Sequence, residues 1–223
     1  MDHETTGKRT SLRLQRIDQM VTRHYDHIWD CCCDHGYLGQ LLLKRQLAGT
    51  LHFVDVVDHL MQDLEYRLKK FSTDDNWQVH CLDVVKLSLV KAQSHLVIIA
   101  GVGGDLVIDF VRAIQQTHLD QHLEFLLCPV QHNYKLRVAL QKMGFGLIDE
   151  SLVKDKKRFY EILHVSNRAS EKISAVGSKM WDFSREEDQQ YLASCIEHYR
   201  RMTQNVKSNM EKALQLYESL QVR

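Results

Sequence analysis

Residues 30–39 read DCCCDHGYLG, and they overlap the end of the apolar segment HIWDCCC. That segment predicts a buried strand, and the next segment, YLGQLLLKRQL, has the apolar spacing of a helix. In open α/β sheets, cofactors bind at the carboxyl ends of the strands, where a strand turns into the next helix. The stretch therefore predicts a strand, a cofactor-binding turn and a helix.

The rest of the chain continues this alternation of strand and helix. SLRLQRIDQMV predicts an amphipathic first helix with Ser11 as its N-cap. Further strand candidates are LHFVDVV, WQVHCLD, SHLVIIAG and LEFLLCPV, and further helix candidates are HLMQDLEYRLKKF, DLVIDFVRAIQQ and NYKLRVALQKMG. Two last strands, FGLIDESLVKD and RFYEILHVS, flank the charged turn KDKKR. We expect an α/β fold with a Rossmann-like, mostly parallel sheet and an antiparallel final strand, similar to the sheet of class I methyltransferases.

The last quarter of the chain has a different pattern. From Leu192 to Leu220 the apolar residues recur three or four positions apart, which predicts helix. We expect residues 1–167 to form the main domain and residues 168–223 a small helical coiled-coil domain. One long helix and a hairpin that breaks near TQNVKS are both compatible with the spacing. The apolar stripe could pack on the main domain, grip RNA, or pair with a second copy to form a homo-oligomer.

The composition is ordinary for a globular protein, with 44% hydrophobic and 26% charged residues. No apolar run approaches the roughly 18 residues of a membrane span, and MDHETTGKRTSLRL lacks the apolar core of a secretory signal. We therefore expect a cytoplasmic protein with reduced cysteines and no membrane partner. Because the net charge is +0, an RNA partner would have to be met by local basic clusters.

Three adjacent cysteines, Cys31, Cys32 and Cys33, raise the question of a metal or redox site. Structural zinc sites space their cysteines about two to four residues apart, so that the chain can loop around the ion. No second cysteine pair with that spacing occurs in this sequence. On a strand, Cys31 and Cys33 would share one face and Cys32 would lie on the other. We expect small packed thiols and no metal.

Carboxylates and glycines stand near the ends of the later strand candidates. Asp55 ends the second, where a carboxylate would accept the ribose hydroxyls of a nucleoside cofactor, and Asp83 ends the third. A dinucleotide would need G-x-G-x-x-G in the first turn, whose one glycine is Gly36. AGVGGD, residues 100–105, lacks the lysine and hydroxyl residue of a phosphate-binding loop. The pattern therefore favours S-adenosyl-L-methionine, which carries no phosphate.

Three motifs in this order, DCCCDHGYL, AGVGG and YEIL, resemble the bacterial tRNA (adenine-22-N1)-methyltransferase family. The resemblance covers roughly residues 10–167, and the helical C-terminal region resembles the coiled-coil domain of that family. It implies an S-adenosyl-L-methionine-dependent enzyme that methylates N1 of an adenine in tRNA, at position 22. The expected partner is tRNA, and no metal is expected.

The resemblance also implies the site residues. The expected cofactor-binding residues are Asp30, Cys32, Asp34, His35, Gly36, Asp55, Val56, Asp83, Val84, Ala100, Gly101, Gly103 and Gly104. The expected substrate-binding residues are Lys8, Arg9, Arg13, Pro129, Lys156, Lys157, Arg158 and Tyr160. The expected catalytic residues are Asp34, which would stabilise the cationic methylated adenine, and His35, which would orient Asp34.

Three positions depart from the family pattern. Cys32 stands where a glycine is usual, Cys128 where a glutamine usually precedes proline, and Val130 where an asparagine usually follows it. Two other functions stay open on this basis. The chain could bind RNA or a protein partner on a methyltransferase-like scaffold without catalysis, or it could methylate a different substrate.

Overall fold

The computed structural model describes residues 11–71, 75–205 and 210–221. The helices are α1 (Leu12–Met20), α2 (Tyr37–Lys44), α3 (Asp58–Phe71), α4 (Gly104–Thr117), α5 (Asn133–Lys142), α6 (Glu186–Asn205) and α7 (Met210–Glu218). The strands are β1 (Tyr25–Cys31), β2 (Ala48–Asp55), β3 (Trp77–Cys81), β4 (His95–Ala100), β5 (Glu124–Cys128), β6 (Gly146–Asp155), β7 (Arg158–Ser166) and β8 (Glu171–Lys172). A short 3₁₀ helix, Val84–Lys86, follows β3.

The strands form one sheet in the order β3-β2-β1-β4-β5-β7-β6-β8. Strands β1 to β5 pair in parallel, and β7 is inserted antiparallel to both β5 and β6. The expected α/β fold with a mostly parallel, Rossmann-like sheet is confirmed. Because β6 runs in the same direction as β5, the turn between β6 and β7 lies at the same edge of the sheet as the carboxyl ends of β1 to β5.

Apolar side chains cover both faces of the sheet. On one face, α1, α2 and α3 contribute Ile17, Leu42 and Leu64 to a core shared with Phe53 of β2. On the other face, α4 and α5 pack on the central strands in a second core. Ser11 caps α1 as expected, since its Oγ accepts a hydrogen bond from the backbone N–H of Leu14 at 3.3 Å. The sheet therefore holds the carboxyl ends of β1 and β4 side by side.

The C-terminal region forms a helical hairpin. The rings of Tyr199 in α6 and Tyr217 in α7 stack with their centroids 5.4 Å apart, and Arg200 pairs with Glu218 at 2.9 Å. The apolar faces of α6 and α7 form a third core with Leu152 of β6. Of the alternatives left open by the sequence, the hairpin is correct and it packs on the main sheet. The boundary at residue 167 stays a prediction, and β8 extends the sheet beyond it by pairing with β6.

A buried ionic network fastens α6 to the sheet. The fully buried guanidinium of Arg137 in α5 donates to Glu161 of β7 at 2.6 Å and to Glu150 of β6 at 2.7 Å. The Tyr191 hydroxyl of α6 donates to the second oxygen of Glu161 at 2.7 Å. Burial alone would raise the pKa of Glu150, but Arg137 and the backbone N–H groups of Ser178 and Lys179 hold it below its ordinary value.

Candidate active site

A cavity of about 250 Å³ opens at the carboxyl ends of β1 and β4. Its walls come from α1, from the turn between β1 and α2, and from the loop after β4. The lining residues are Arg13, Leu14, Asp30, Cys32, Cys33, Asp34, His35, Tyr37, Leu38, Ala100, Gly101 and Val102. The cavity therefore joins the first turn to the glycine loop, which are distant in sequence.

The turn between β1 and α2 has an unusual backbone. Cys32, Asp34 and Gly36 all have positive φ, at 56°, 51° and 69°. Only glycine adopts this left-handed region without a steric penalty, so the conformation explains why glycine would suit position 32. Gly36 is the N-cap of α2, and a Cβ added to Gly36 would lie 2.8 Å from the side chain of Leu64. The turn is thus fixed both by its conformation and by close packing of α2 on α3.

Asp30 is a buried acid in the wall of the cavity. Its Oδ2 accepts a hydrogen bond from the backbone N–H of Gly39 at 2.8 Å, which ties β1 to α2. Burial raises the pKa of Asp30 to about 7, with a smaller contribution in the same direction from the nearby Asp55. A buried carboxyl of this kind favours a cationic partner, because a positive charge would stabilise its ionised form.

Asp55 and Asp83 lie at the same edge of the sheet but outside the cavity lining. Asp55 ends β2, and its carboxylate accepts from the backbone N–H groups of Asp34 at 3.0 Å and Val56 at 2.8 Å. Asp83 caps the 3₁₀ helix by accepting from the N–H of Val85 at 3.1 Å. Asp55 therefore links the second strand to the turn of the first.

The cysteines pack as small apolar groups, but their arrangement differs from the strand expectation. Cys31 and Cys32 contact the core on the α4 side, whereas Cys33 contacts the core on the α1 side. The expectation that Cys31 and Cys33 share a face is wrong, because β1 ends at Cys31 and the chain then turns through the left-handed Cys32. Burial raises the pKa of all three thiols, that of Cys32 to about 12. They are therefore neutral thiols near neutral pH.

The glycine loop after β4 runs beside the loop after β5. Gly101 has a φ of 87°, and its N–H donates to the carbonyl of Cys128 at 3.2 Å. Farther from the ends of these strands, the N–H of Val130 donates to the carbonyl of Val102 at 2.9 Å, and the N–H of Gly104 donates to the carbonyl of Gln131 at 3.0 Å. These bonds continue the pairing of β4 and β5 beyond the edge of the sheet, so they join the two loops to each other.

The predicted catalytic pair lies at the mouth of the cavity. His35 Nε2 is 3.6 Å from Asp34 Oδ1, and both side chains are exposed. The ring of His35 also lies 5.7 Å from the ring of Tyr37, centroid to centroid. The arrangement is compatible with His35 orienting Asp34, and both roles stay predictions.

Arg13 and Tyr160, two of the predicted substrate-binding residues, meet at this mouth. The guanidinium of Arg13 lies over the ring of Tyr160, 5.0 Å from its centroid, and beside Gly101. The backbone N–H of Arg13 lies 3.5 Å from a carboxylate oxygen of Asp155, next to the turn between β6 and β7. Lys156, Lys157 and Arg158 are exposed at and beside that turn. Lys8 and Arg9 lie outside the described residues.

Two predicted residues are buried outside the cavity lining, and several lining residues were not predicted. Val84 belongs to the core and Pro129 is also buried. Gly103 and Gly104 follow the cavity-lining part of the glycine loop. The sequence reasoning missed Leu14, Cys33, Tyr37, Leu38 and Val102. Tyr37 and Leu38 are part of the quoted motif DCCCDHGYL, which was the available signal.

Within residues 11–71, 75–205 and 210–221, no group of three or more His, Cys, Asp or Glu side chains is arranged to hold a metal ion. In the same ranges, no helix is both long and apolar enough to span a membrane.

The comparison with known families decides the class of the protein. Residues 10–163, more than half of the chain, match the family described as a methyltransferase domain. The chain belongs to this family. The cavity described above therefore lies at the cofactor edge of a methyltransferase sheet.

Solved structures share the fold of this methyltransferase. The Streptococcus pneumoniae protein Sp1610 in complex with S-adenosyl-L-methionine is 21% identical, with a TM-score of 0.74 over 93% of this chain and 97% of that chain. The Bacillus subtilis m1A22 tRNA methyltransferase TrmK is 18% identical, with a TM-score of 0.74 over 94% of this chain and 97% of that chain. At these identities the likeness establishes a common fold, including the C-terminal helices.

A curated sequence relative also carries a tRNA methyltransferase name. It is MG248 of Mycoplasma genitalium, which is 22% identical over 162 residues, or 70% of this chain and 71% of that protein.

Proposed function

We propose that this methyltransferase transfers the methyl group of S-adenosyl-L-methionine to N1 of an adenine in tRNA, at position 22. The observation that carries the proposal is the single cavity that joins the buried Asp30 and the glycine loop to a mouth bordered by Arg13 and Tyr160. The similar proteins include tRNA methyltransferases and a complex with S-adenosyl-L-methionine, and they support the proposal.

The residues present fit this cofactor. A Cβ added at Gly101 would meet only the guanidinium of Arg13, at 3.8 Å or more, so the backbone there is open to a ligand. Asp30 would pair with the ammonium group of the cofactor, and Asp55 would lie nearest its ribose. When bound, the cofactor supplies an electrophilic methyl group on a sulfonium.

The protein residues then have to position the base and exclude water. The lone pair of adenine N1 would attack the methyl carbon while the bond from that carbon to the sulfonium sulfur breaks and neutral S-adenosylhomocysteine leaves. Catalysis would therefore depend mainly on holding N1 in line and at near-attack distance. Methylation leaves a positive charge on adenine, which the exposed carboxylate of Asp34 stabilises. The adenine must also leave its stack in the folded RNA, at a cost of a few kcal/mol. Arg13 and Tyr160 offer a cation and a ring at the mouth to receive it.

We infer that the rest of the chain serves RNA binding. Residues 1–167 form the catalytic domain, and the basic side chains of the turn between β6 and β7 contact the tRNA backbone. The coiled-coil region, residues 168–223, extends the RNA-binding surface or pairs with a second copy. The protein acts in the cytoplasm, where its tRNA substrate is found.

The test is methyl transfer from labelled S-adenosyl-L-methionine to tRNA that lacks the modification, followed by mass spectrometry of the nucleosides. N1-methyladenosine is the expected product. Cofactor binding without transfer to any tRNA would contradict the proposal and favour a binding protein on a methyltransferase scaffold. Transfer that survives ribonuclease treatment of an extract would instead favour another substrate.

A further inference from the structure

The glycine loop after β4 has no polar side chain with which to recognise a base. Its residues Gly101, Gly103 and Gly104 have no side chains, and Val102 is apolar. Hydrogen bonds from side chains to the target base must therefore come from another segment. The segment in contact with the glycine loop is the loop after β5, from Cys128 to His132.

Gln131 has the geometry of a recognition residue in that segment. Its carbonyl accepts the hydrogen bond from the N–H of Gly104 at 3.0 Å, so its backbone is fixed. Its side-chain Nε2 lies 3.3 Å from the position that a Cβ would take on Gly103, so the amide lies against the glycine loop. Gln131 is exposed, and no side chain or backbone group in the described part of the chain forms a hydrogen bond with its side-chain amide. A fixed backbone with a free amide is preorganised to bind a ligand.

Four other side chains are unsuitable for this role. Cys128 is buried, and burial raises the pKa of its thiol to about 12. Val130 is exposed but has no polar group. The amide of Gln40 is already used on the carbonyls of His35 and Gly36, and that of Asn133 donates to Tyr191.

The chemistry of N1 methylation selects the edge of adenine that can be read. N1 lies on the Watson–Crick edge and must face the methyl group, so that edge is not free for a protein amide. The Hoogsteen edge presents the N6 amino group and the N7 acceptor, and a glutamine amide pairs with both. In this pairing Oε1 accepts from N6–H and Nε2 donates to N7.

We propose that Gln131 determines base specificity by binding N6 and N7 of the target adenine. This inference rests on the proposed function, since it concerns the adenine of the same reaction. Guanine carries an acceptor, O6, in place of the amino group, so it would leave Oε1 without a donor. Gln131 thereby supplies the hydrogen-bonding amide that positions 128 and 130 lack.

The experiment combines a protein change with a single-atom change in the RNA. A hairpin RNA carries either adenosine or 7-deazaadenosine at the target position, which removes N7 but keeps N1 and N6. Wild type, Gln131→Leu and the control Gln78→Leu, an exposed glutamine of β3, are compared on both RNAs. We measure kcat/KM for N1 methylation, the affinity for each RNA in the presence of S-adenosylhomocysteine, and the affinity for S-adenosyl-L-methionine.

We expect wild type and Gln78→Leu to prefer adenosine by roughly tenfold, the scale of one specific base contact. Gln131→Leu should lose activity on adenosine and show no preference, with unchanged cofactor affinity. A preference that survives in Gln131→Leu, or that is absent in wild type, would overturn the inference while methylation itself still supports the proposed function. If wild type methylates neither RNA, the proposed function fails. The inference is then judged by the ratio of the affinity for the adenosine RNA to the affinity for the 7-deazaadenosine RNA. Equal ratios in wild type and Gln131→Leu would then overturn it too.

Discussion

At the scale of single residues, the first turn stores backbone strain at Cys32. A non-glycine residue in the left-handed region costs on the order of 1 kcal/mol, and Cys32 has a φ of 56°. The sequence showed that a cysteine replaces the glycine of the family motif. The sequence could not show that the φ of Cys32 is positive, because this depends on the exact residue at which strand β1 ends.

Replacing Cys32 tests this strain. Cys32→Gly should be more stable to unfolding than Cys32→Ala by about 1 kcal/mol, because only glycine relieves the backbone conformation. At Cys33, whose φ is not positive, Cys33→Ala should instead be more stable to unfolding than Cys33→Gly by roughly 0.5–1 kcal/mol, since glycine adds chain entropy to the unfolded state. Urea denaturation of the four variants measures both differences. Glycine less stable than alanine at position 32 would contradict the strain.

The buried carboxyl of Asp30 makes a second residue-scale prediction. Its pKa in the folded chain is about 7, against 3.8 for the ordinary group. Because the folded-state pKa is the higher one, its contribution to stability is complete below about pH 3.8 and is lost as the pH rises through about 7. Asp30→Asn should therefore be more stable than wild type at about pH 8 and show a smaller gain at about pH 5.

The same variant separates stability from cofactor binding. If the Asp30 carboxylate pairs with the cofactor ammonium as proposed, its loss should weaken S-adenosyl-L-methionine binding at about pH 8 by roughly tenfold or more. Denaturation and calorimetry measure the two effects. The exposed Asp109→Asn is the matched control and should change neither. Unchanged cofactor affinity in Asp30→Asn would remove Asp30 from the ligand-binding set.

At the scale of elements, a row of histidines joins the three strands β1, β2 and β3 on one side of the sheet. His27 of β1 bonds to His52 of β2 at 2.9 Å, and His52 bonds to His80 of β3 at 2.9 Å. Each contact needs one donor and one acceptor nitrogen, so the row is satisfied when the rings are neutral. His52 also stacks on Trp29, with centroids 3.8 Å apart.

Acid should weaken this row. Burial lowers the pKa of His52 from 6.5 to about 3 and also lowers that of His80. Because the folded-state pKa is the lower one, the stabilisation is present above about pH 6.5 and is lost as the pH falls toward 3. The free energy of unfolding of wild type should fall more steeply over this range than that of His52→Gln. Tryptophan fluorescence reports the unfolding transition, and the exposed His59→Gln should keep the wild-type slope. Equal slopes in all three proteins would contradict the prediction.

The elements were predictable where the apolar period is regular. All the strand candidates and helix candidates of the main domain are present, because each segment buries one face or both faces against a continuous core. The two-residue β8 gave no comparable signal, since its position depends on tertiary contacts. The break between α6 and α7 was one of two alternatives, since the apolar spacing near TQNVKS was also compatible with one long helix. The cavity wall from α1 was only partly predicted, because Arg13 reaches the first turn through packing of α1 near β6 and β7.

The buried Arg137 network is the element-scale anchor of the helical hairpin. Arg137→Met leaves Glu150 and Glu161 buried without their cation and should lower the free energy of unfolding by about 3–5 kcal/mol. Tyr191→Phe removes one hydrogen bond to Glu161 and should cost about 1–3 kcal/mol. The exposed pair of Arg112 and Asp109 is the control, and Arg112→Met should cost less than about 1 kcal/mol. Urea denaturation compares the three. A loss for Arg137→Met no larger than for the control would show that the network does not hold the fold together.

At the scale of the whole molecule, basic side chains lie at both ends of the strands, although the net charge is +0. Lys157 and Arg158 lie at the cofactor edge of the sheet, whereas Lys91 and Arg168 line a second cavity near the opposite edge. The amino-acid composition alone could not reveal where these basic side chains lie, because their positions depend on the direction of β6 and β7 in the sheet.

Reversing these charges tests which edge receives tRNA. The double change Lys157→Glu and Arg158→Glu should weaken tRNA binding and reduce the dependence of affinity on salt, since fewer counterions are released. The matched change Lys91→Glu and Arg168→Glu should have a much smaller effect. Filter binding across a range of salt concentrations measures both. Equal effects of the two pairs would place the turn between β6 and β7 outside the RNA interface.

Strand β7 connects the two halves of the proposed RNA-binding surface. Its successive residues Tyr160 and Glu161 point to opposite faces, one toward Arg13 and the other toward Arg137 and Tyr191. The aromatic ring at the mouth of the cavity is thus one peptide bond away from the anchor of α6. If the hairpin binds RNA as proposed, a displacement of the hairpin would reach the proposed methylation site through β7 alone, which makes this strand the shortest route between binding the substrate and modifying it.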